Sequence, residues 1–284
     1  MGKFAQLIVD CLVSCRFFQL LYVVGLTTAG GVGLFYALEK TVSASGFLAV
    51  PIPHLPWFHS GLFHGYDSAS LRRGYQVYKQ VCCACHSMKQ LRYRHFIDVF
   101  LTADEAKDEA AEIRVQDGPN DQGQMFMRPG TVNDYLPSPY PNEVVGRNAN
   151  HGLYPPDLSL ITLARHRGED YIFMLLTGYT EAPAGIHLES DQHYNPYFPS
   201  GGAIGMAPAL FDEMIEYSDG TPASVSQMAK DVCSFLKFCS EPELNDRKRY
   251  AIKVSFLRIV FSELLLYSRA FVSICLSVQF WSSI

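Results

Sequence analysis

The pentapeptide Cys82-Cys83-Ala84-Cys85-His86 constrains this chain more than any other stretch. Cys82 and Cys85 are separated by one helical turn and followed at once by a histidine, the C-x-x-C-H spacing of covalent c-type haem attachment. The chemistry explains the spacing. Each thiol adds to one porphyrin vinyl group, and the next residue then offers its imidazole to the iron as an axial ligand. Cys83 does not fit, because pairing it with Cys85 leaves one residue between them and no histidine in register. A structural zinc site would want a second Cys or His pair at ligand spacing, and Cys233 and Cys239 are too widely spaced to supply it. A thioredoxin-like motif would want a βαβ context, which is absent. The motif occurs once, so one covalently attached haem c is expected.

A chain of 284 residues suffices for one good-sized domain plus appendages. Net charge is −5 with no basic patch, which argues against nucleic acid as a partner. Eight cysteines are too few and too scattered for a disulfide framework. Those outside the motif pair (Cys11, Cys15, Cys83, Cys233, Cys239 and Cys275) are read as buried or spare thiols.

The ends of the chain differ from its middle. Residues 17–38 form an uncharged, mainly apolar run between Arg16 and Glu39-Lys40, and small residues follow from Thr41 to Ser45. This reads as a sorting segment over 1–44, removed near Ala44. A retained membrane helix would have the same length, but Ala29-Gly30-Gly31 and Gly33 weaken it. Lys3 and Arg16 are the only early bases, few for a mitochondrial presequence. The haem domain is placed at 45–245 and a C-terminal membrane anchor at 246–284.

Within the domain, residues 46–65 are rich in proline and aromatics and read as an extended arm laid on a surface. A helix follows, capped by Asp67 or Ser68, with Leu71, Gly74, Tyr75 and Tyr78 at i, i+3, i+4 and i+7; it runs straight into the haem motif. A second helix is expected over 102–115 with Thr102 as its cap. Residues 117–150 carry many turn formers and read as mostly turns. Another helix is expected over 169–178. A last one is capped by Thr221 with Pro222 at its first position, burying Val225, Met228, Ala229, Val232 and Leu236. The fold class expected is all-α, a cytochrome c-like haem domain with long loops.

An electron carrier needs a second axial ligand. Met206 lies in a turn-forming stretch, Gly201-Gly202-Ala203-Ile204-Gly205-Met206-Ala207-Pro208, whereas Met174, Met214 and Met228 fall on or near helical stripes where core packing is the default. Thioether opposite imidazole favours the reduced iron and raises the potential. From the residues alone, Met206, His187 and His193 stay candidates. A nucleotide-binding glycine loop would need a preceding strand, which is not seen.

Several ordered stretches together resemble the cytochrome c1 family, the haem subunits of the cytochrome bc1 complex (complex III). They are Arg72-Arg73-Gly74-Tyr75-Gln76-Val77-Tyr78-Lys79 before the motif, Asp117-Gly118-Pro119-Asn120, Met127-Arg128-Pro129-Gly130, Tyr154-Pro155-Pro156-Asp157-Leu158-Ser159 and Ala164-Arg165-His166. Asn195-Pro196-Tyr197-Phe198-Pro199 and Asp219-Gly220-Thr221-Pro222-Ala223 complete the set, over about residues 30–253.

The resemblance implies thioether links at Cys82 and Cys85, axial His86 and Met206, and Arg147 beside a haem propionate. It also implies that His86 donates Nδ1–H to a main-chain carbonyl, for which the Pro155-Pro156 turn is the candidate. The activity implied is transfer of one electron from a Rieske iron–sulfur protein to soluble cytochrome c during ubiquinol oxidation. The chain would sit beside cytochrome b in the mitochondrial inner membrane, its haem domain in the intermembrane space, with no bond chemistry of its own. The alternative reading is a c-type haem enzyme or sensor with an open distal site.

Two features depart from the family pattern. Ser200 adds a residue between Pro199 and Met206, and Lys253, Arg258, Glu263 and Arg269 interrupt the apolar run of the anchor. The acids Asp104, Glu105, Asp108, Glu109, Glu112, Asp117 and Asp121 outnumber Lys107 and Arg114, which suggests steering of a basic partner.

Overall fold

A computed structural model describes residues 50–199 and 201–281. The expected sorting segment over 1–44 and the extra Ser200 lie outside the described residues. Six α-helices are described: α1 (Ser68–Gln80), α2 (Ala103–Ala111), α3 (Glu143–Ala149), α4 (Gly168–Thr177), α5 (Val225–Ser240) and α6 (Leu244–Trp281). Two short antiparallel ladders accompany them, β1 (Arg114–Asp117) with β2 (Phe126–Pro129) and β3 (His193–Tyr194) with β4 (Ala203–Ile204). The domain is mainly helical, with these two short ladders added to the expected helices. The four short strands escaped the sequence reading because two to four residues are too few to establish an alternating pattern.

Helix α1 begins where Asp67 accepts from the amides of Ala69 and Ser70, two of the donors a helix start leaves unpaired. Its buried face carries Leu71, Gly74, Tyr75 and Tyr78, the stripe expected from the spacing. That face packs on α5, which buries Met228, Ala229, Val232, Phe235 and Leu236. Gly74 permits the crossing. A β-carbon there would stand 2.1 Å from the Asp231 carbonyl oxygen, so only glycine lets the two backbones meet. An aromatic cluster fills the space beside the crossing, with ring centroids 5.2 Å apart for Tyr75 and Phe96 and 5.6 Å for Tyr75 and Phe235. Tilted packing at such distances suits the ring quadrupoles.

A buried polar lock sits in the same crossing. Asp231, fully buried, accepts from Ser70 Oγ at 2.7 Å, Arg73 Nε at 2.8 Å and Gln227 Nε2 at 2.8 Å. Three donors and the guanidinium charge offset the desolvation of this carboxylate. In return, its hydrogen bonds raise the Arg73 pKa.

The remaining boundaries follow local chemistry. Helix α2 opens at Thr102, the cap the sequence implied, in a reciprocal capping box with Glu105, but ends at Ala111 and gives way to β1. Residues 117–150 hold β2 and α3 besides turns, more structure than their composition suggested. Helix α5 is capped by Ser224, whose side chain accepts from Gln227 N, so Thr221 and Pro222 precede the helix instead of opening it. The arm is fastened by Asp170 at the start of α4, which accepts from Leu55 N, Trp57 Nε1 and His54 Nδ1 at 3.1, 2.6 and 3.0 Å.

Helix α6 runs for 38 residues, about 57 Å, and its side chains are exposed over 249–271. Among the described residues no helix is long and apolar enough to cross a membrane. Lys253, Arg258, Glu263 and Arg269 interrupt the apolar residues of α6.

Replacing Gly74 with alanine should force α1 and α5 apart. The expected loss is about 1–3 kcal/mol, the usual range for overpacking, read as a lower urea midpoint with an unchanged slope.

Candidate functional site

The motif occupies the end of α1. After Val81 the chain tightens into a 3-10 turn over Cys82–Ala84, in which the amides of Cys85 and His86 both donate to the Cys82 carbonyl at 3.1 and 2.9 Å. This turn brings the two thiols and the imidazole together. Both cysteines are free, as attachment to a porphyrin would need. They differ in setting: Cys85 is exposed, while burial pushes the Cys82 thiol up to about 12, so it is protonated at neutral pH. Cys83 is turned away, its Sγ donating to the Lys79 carbonyl at 2.8 Å.

His86 is oriented from the other side of the domain. Its Nδ1 lies 2.8 Å from the main-chain oxygen of Pro156. A carbonyl can only accept, so Nδ1 carries the proton and the Nε2 lone pair is left for a metal. Burial lowers the imidazole pKa and favours this neutral form. Proline at 156 has no N–H of its own, but its carbonyl remains an acceptor.

Asp157, which the sequence reading did not single out, holds the Pro156 loop in place. Its carboxylate accepts from Ser87 Oγ and Lys89 N at 2.8 Å each and from Ser159 N at 2.9 Å. Leu158 N donates to Ser87 O at 2.9 Å. The available signal was Asp157-Leu158-Ser159 after two prolines, since aspartate commonly bonds its own backbone two residues on.

The same loop reaches the expected distal ligand. Leu153 Cδ1 lies only 2.2 Å from where a β-carbon on Gly205 would stand, which sets the Met206 turn against the 153–156 segment. Met206 is half-buried, and its carbonyl accepts from Tyr179 Oη at 2.9 Å. Tyr179 is a second residue missed in the sequence, where no local spacing links it to position 206. Of the alternatives, His187 and His193 are both exposed, His193 on β3. Met228 is fully buried in the core as expected, but Met214 is 48% exposed and belongs to no helical stripe. Arg147 sits on α3, half-exposed, with Nε and Nη2 on Glu143 Oε1 and Nη1 on the Gly152 carbonyl at 3.0 Å.

The residues fit a porphyrin. Leucines flanking the segment that meets His86 are left bare, with Leu153, Leu160 and Leu163 exposed by 53%, 40% and 58%. Bare apolar side chains on the segment that meets a metal-ready imidazole are what a large flat hydrophobic group would cover. A zinc reading lacks a ligand set, since no cluster of three or more His, Cys, Asp or Glu suited to a metal occurs among the described residues.

Most of the acidic stretch is internally paired. Glu105 binds Arg72, Lys79 bridges Glu109 and Glu112, Asp104 meets Lys107 and Asp117 meets Arg128. Among the described residues only Asp108 and Asp121 of that set form no ion pair.

The Cytochrome C1 family model matches residues 57–274. An Arabidopsis thaliana protein named "Cytochrome c1 2, heme protein, mitochondrial" is 57% identical over 205 residues, 72% of this chain and 66% of the relative, just under two thirds of its length. The Saccharomyces cerevisiae protein named "Cytochrome c1, heme protein, mitochondrial" is 53% identical over 217 residues, 76% of this chain and 69% of the relative. A Candida albicans protein named "Cytochrome b-c1 complex catalytic subunit, mitochondrial" is 49% identical over 251 residues, 84% of this chain and 86% of the relative.

Asp157→Ala strands three donors and should cost about 1–3 kcal/mol in urea titrations at neutral pH. Burial alone would raise this carboxyl; the bonds from Lys89, Ser159 and Ser87 outweigh it and hold the pKa below 3.8. A carboxyl depressed in the folded state stabilises fully above its unfolded value and loses that contribution as pH falls through the lower folded value. The gap between wild type and variant should therefore hold above about pH 4 and close below it.

Proposed function

The chain belongs to the cytochrome c1 family, and from this we propose that it is the haem-carrying electron-transfer subunit of a mitochondrial cytochrome b-c1 complex. It takes one electron from a Rieske iron–sulfur protein and gives it to soluble cytochrome c, as part of ubiquinol oxidation. The observation that carries this reading is one turn with two free thiols and an imidazole whose Nδ1 proton is fixed on Pro156.

Haem c, once attached, supplies a one-electron Fe(III)/Fe(II) couple. The protein's part is to attach, orient and shield. Cys82 and Cys85 provide the two sulfur links. His86 offers Nε2, and the Pro156 bond fixes its tautomer and increases its basicity. Met206 would hold the iron through its thioether, from a turn steadied by Tyr179. With His86 and Met206 both holding the iron, there would be no open site for a small molecule, and the chemistry would be restricted to electron transfer. Arg147 lies on the 147–153 segment and offers a guanidinium for a propionate, in place of its bond to Glu143.

Helix α6 is the proposed anchor in the inner membrane, with the haem domain in the intermembrane space beside cytochrome b. Its exposed apolar residues support this, among them Phe256, Leu257, Phe261, Leu264 and Leu266 at 60–68%. Arginines at 258 and 269 would carry their charge toward the interface on long apolar stems.

Two measurements test the reading. The intact protein should show the long-wavelength absorption band of methionine–Fe(III) ligation and resist carbon monoxide; Met206→Leu should lose the band and bind the gas while the haem stays covalent on a denaturing gel. Ready carbon monoxide binding by the wild type would instead support the open-site enzyme or sensor. Neutralising Asp108 and Asp121 should slow cytochrome c reduction by about two- to threefold at low ionic strength and leave it unchanged at high salt.

A further inference from the structure

Residues 58–64 form a small apolar knob at the root of α6. Phe58, Leu62 and Phe63 are 60%, 61% and 80% exposed, although the rest of the arm is pinned to the domain. Phe58 packs edge-on against His64, with ring centroids 4.6 Å apart, so the knob has a built shape.

Its backbone is closed around a single cation. Lys248 Nζ, one turn into α6, donates to the carbonyls of His59, Gly61 and His64, the last two at 2.8 and 2.9 Å. Asn245 Oδ1 accepts from Tyr66 N at 3.1 Å just beyond. Because these carbonyls point inward at the ammonium, the apolar side chains between them are left facing out. The clamp fixes the knob at the level where the bare surface of α6 begins, at Tyr250 (65% exposed).

The charges at that level complete the pattern. Residues 246–258 hold five cations, Arg247, Lys248, Arg249, Lys253 and Arg258, against the single acid Asp246, in a chain whose net charge is −5. Arg247 is neutralised by Glu241 and Glu243, and Lys248 is absorbed by the clamp. Arg249 meets only Asp246, at 3.7 Å, and Lys253 lies over the Tyr250 ring. Arg249 and Lys253 are four apart and share one helix face.

We propose that the 58–64 knob is a second membrane contact, which dips Leu62 and Phe63 into the bilayer interface while Arg249 and Lys253 bind anionic phospholipid headgroups. An exposed aromatic and leucine beside surface cations are the composition that lodges at such an interface. Two contacts, the helix and the knob, would fix the tilt of the haem domain over the membrane where a helix alone allows it to swivel. The inference rests on the reading of α6 as an anchor.

The test uses the full chain in nanodiscs made with ordinary or brominated acyl chains, since bromine quenches nearby indoles. The chain has two tryptophans, so Trp281 is read as the difference in emission between the wild type and Trp281→Phe; its quenching reports on α6, and Phe63→Trp, at an exposed position, adds a probe on the knob. The expected result is quenching in the wild type, with the probe at position 63 losing on the order of half of its emission as well. That loss should increase when phosphatidylglycerol is mixed into phosphatidylcholine, and the increase should vanish in Arg249→Gln/Lys253→Gln. A quenched wild type with no added quenching from position 63 overturns the knob while sparing the anchor, and leaves that face for a protein neighbour. An unquenched wild type removes the anchor itself and the inference with it.

Discussion

The backbone contact between α1 and α5 at Gly74 is the constraint on which the rest of the domain depends. The haem motif is the continuation of α1, so whatever fixes the axis of that helix fixes the place of Cys82, Cys85 and His86. The crossing does this twice, once by steric contact with the Asp231 carbonyl and once through the Asp231 side chain, which holds Ser70 and Arg73. A purely apolar contact would tolerate sliding by a fraction of a turn; a buried carboxylate with three donors has one register in which all are satisfied. The aromatic cluster of Tyr75, Phe96, Phe100 and Phe235 then supplies the bulk of the burial around a geometry already determined.

The site is assembled from segments distant in sequence by a succession of short-range bonds. Ser87 and Lys89 hold Asp157, the preceding residue Pro156 holds His86, Leu153 touches the turn of Met206, and Tyr179 holds the Met206 carbonyl. The 153–159 loop therefore touches both His86 and the turn that carries Met206, the two proposed iron ligands. That makes it the element that relates these two residues to each other, although it has neither helix nor strand.

What could be read in the sequence follows from the range of the interactions involved. The motif, the start of α1, the Thr102 cap and the proline-rich arm depend on neighbours within a turn or on a strong compositional bias, and all were visible there. The Pro156 acceptor was reached through family resemblance, because no spacing rule connects positions 86 and 156. Asp157, Tyr179 and the Ser224 cap were missed. Two are tertiary partners, and at the third, Thr221-Pro222 gave a strong helix-start signal three residues early. The count of acids over 104–121 misled in a different way, since Arg72 and Lys79, which neutralise three of them, lie on another helix.

The acceptor for His86 is a peptide oxygen. No single amino-acid replacement can delete it, and a side chain exchanged at position 156 still leaves the oxygen behind. The basicity of the proximal imidazole is thereby tied to the path of a loop instead of the identity of a residue. With His86 as the proposed iron ligand, changes that bend the 153–159 segment become the accessible route for adjusting the redox midpoint, and exchanges at position 156 leave the acceptor in place.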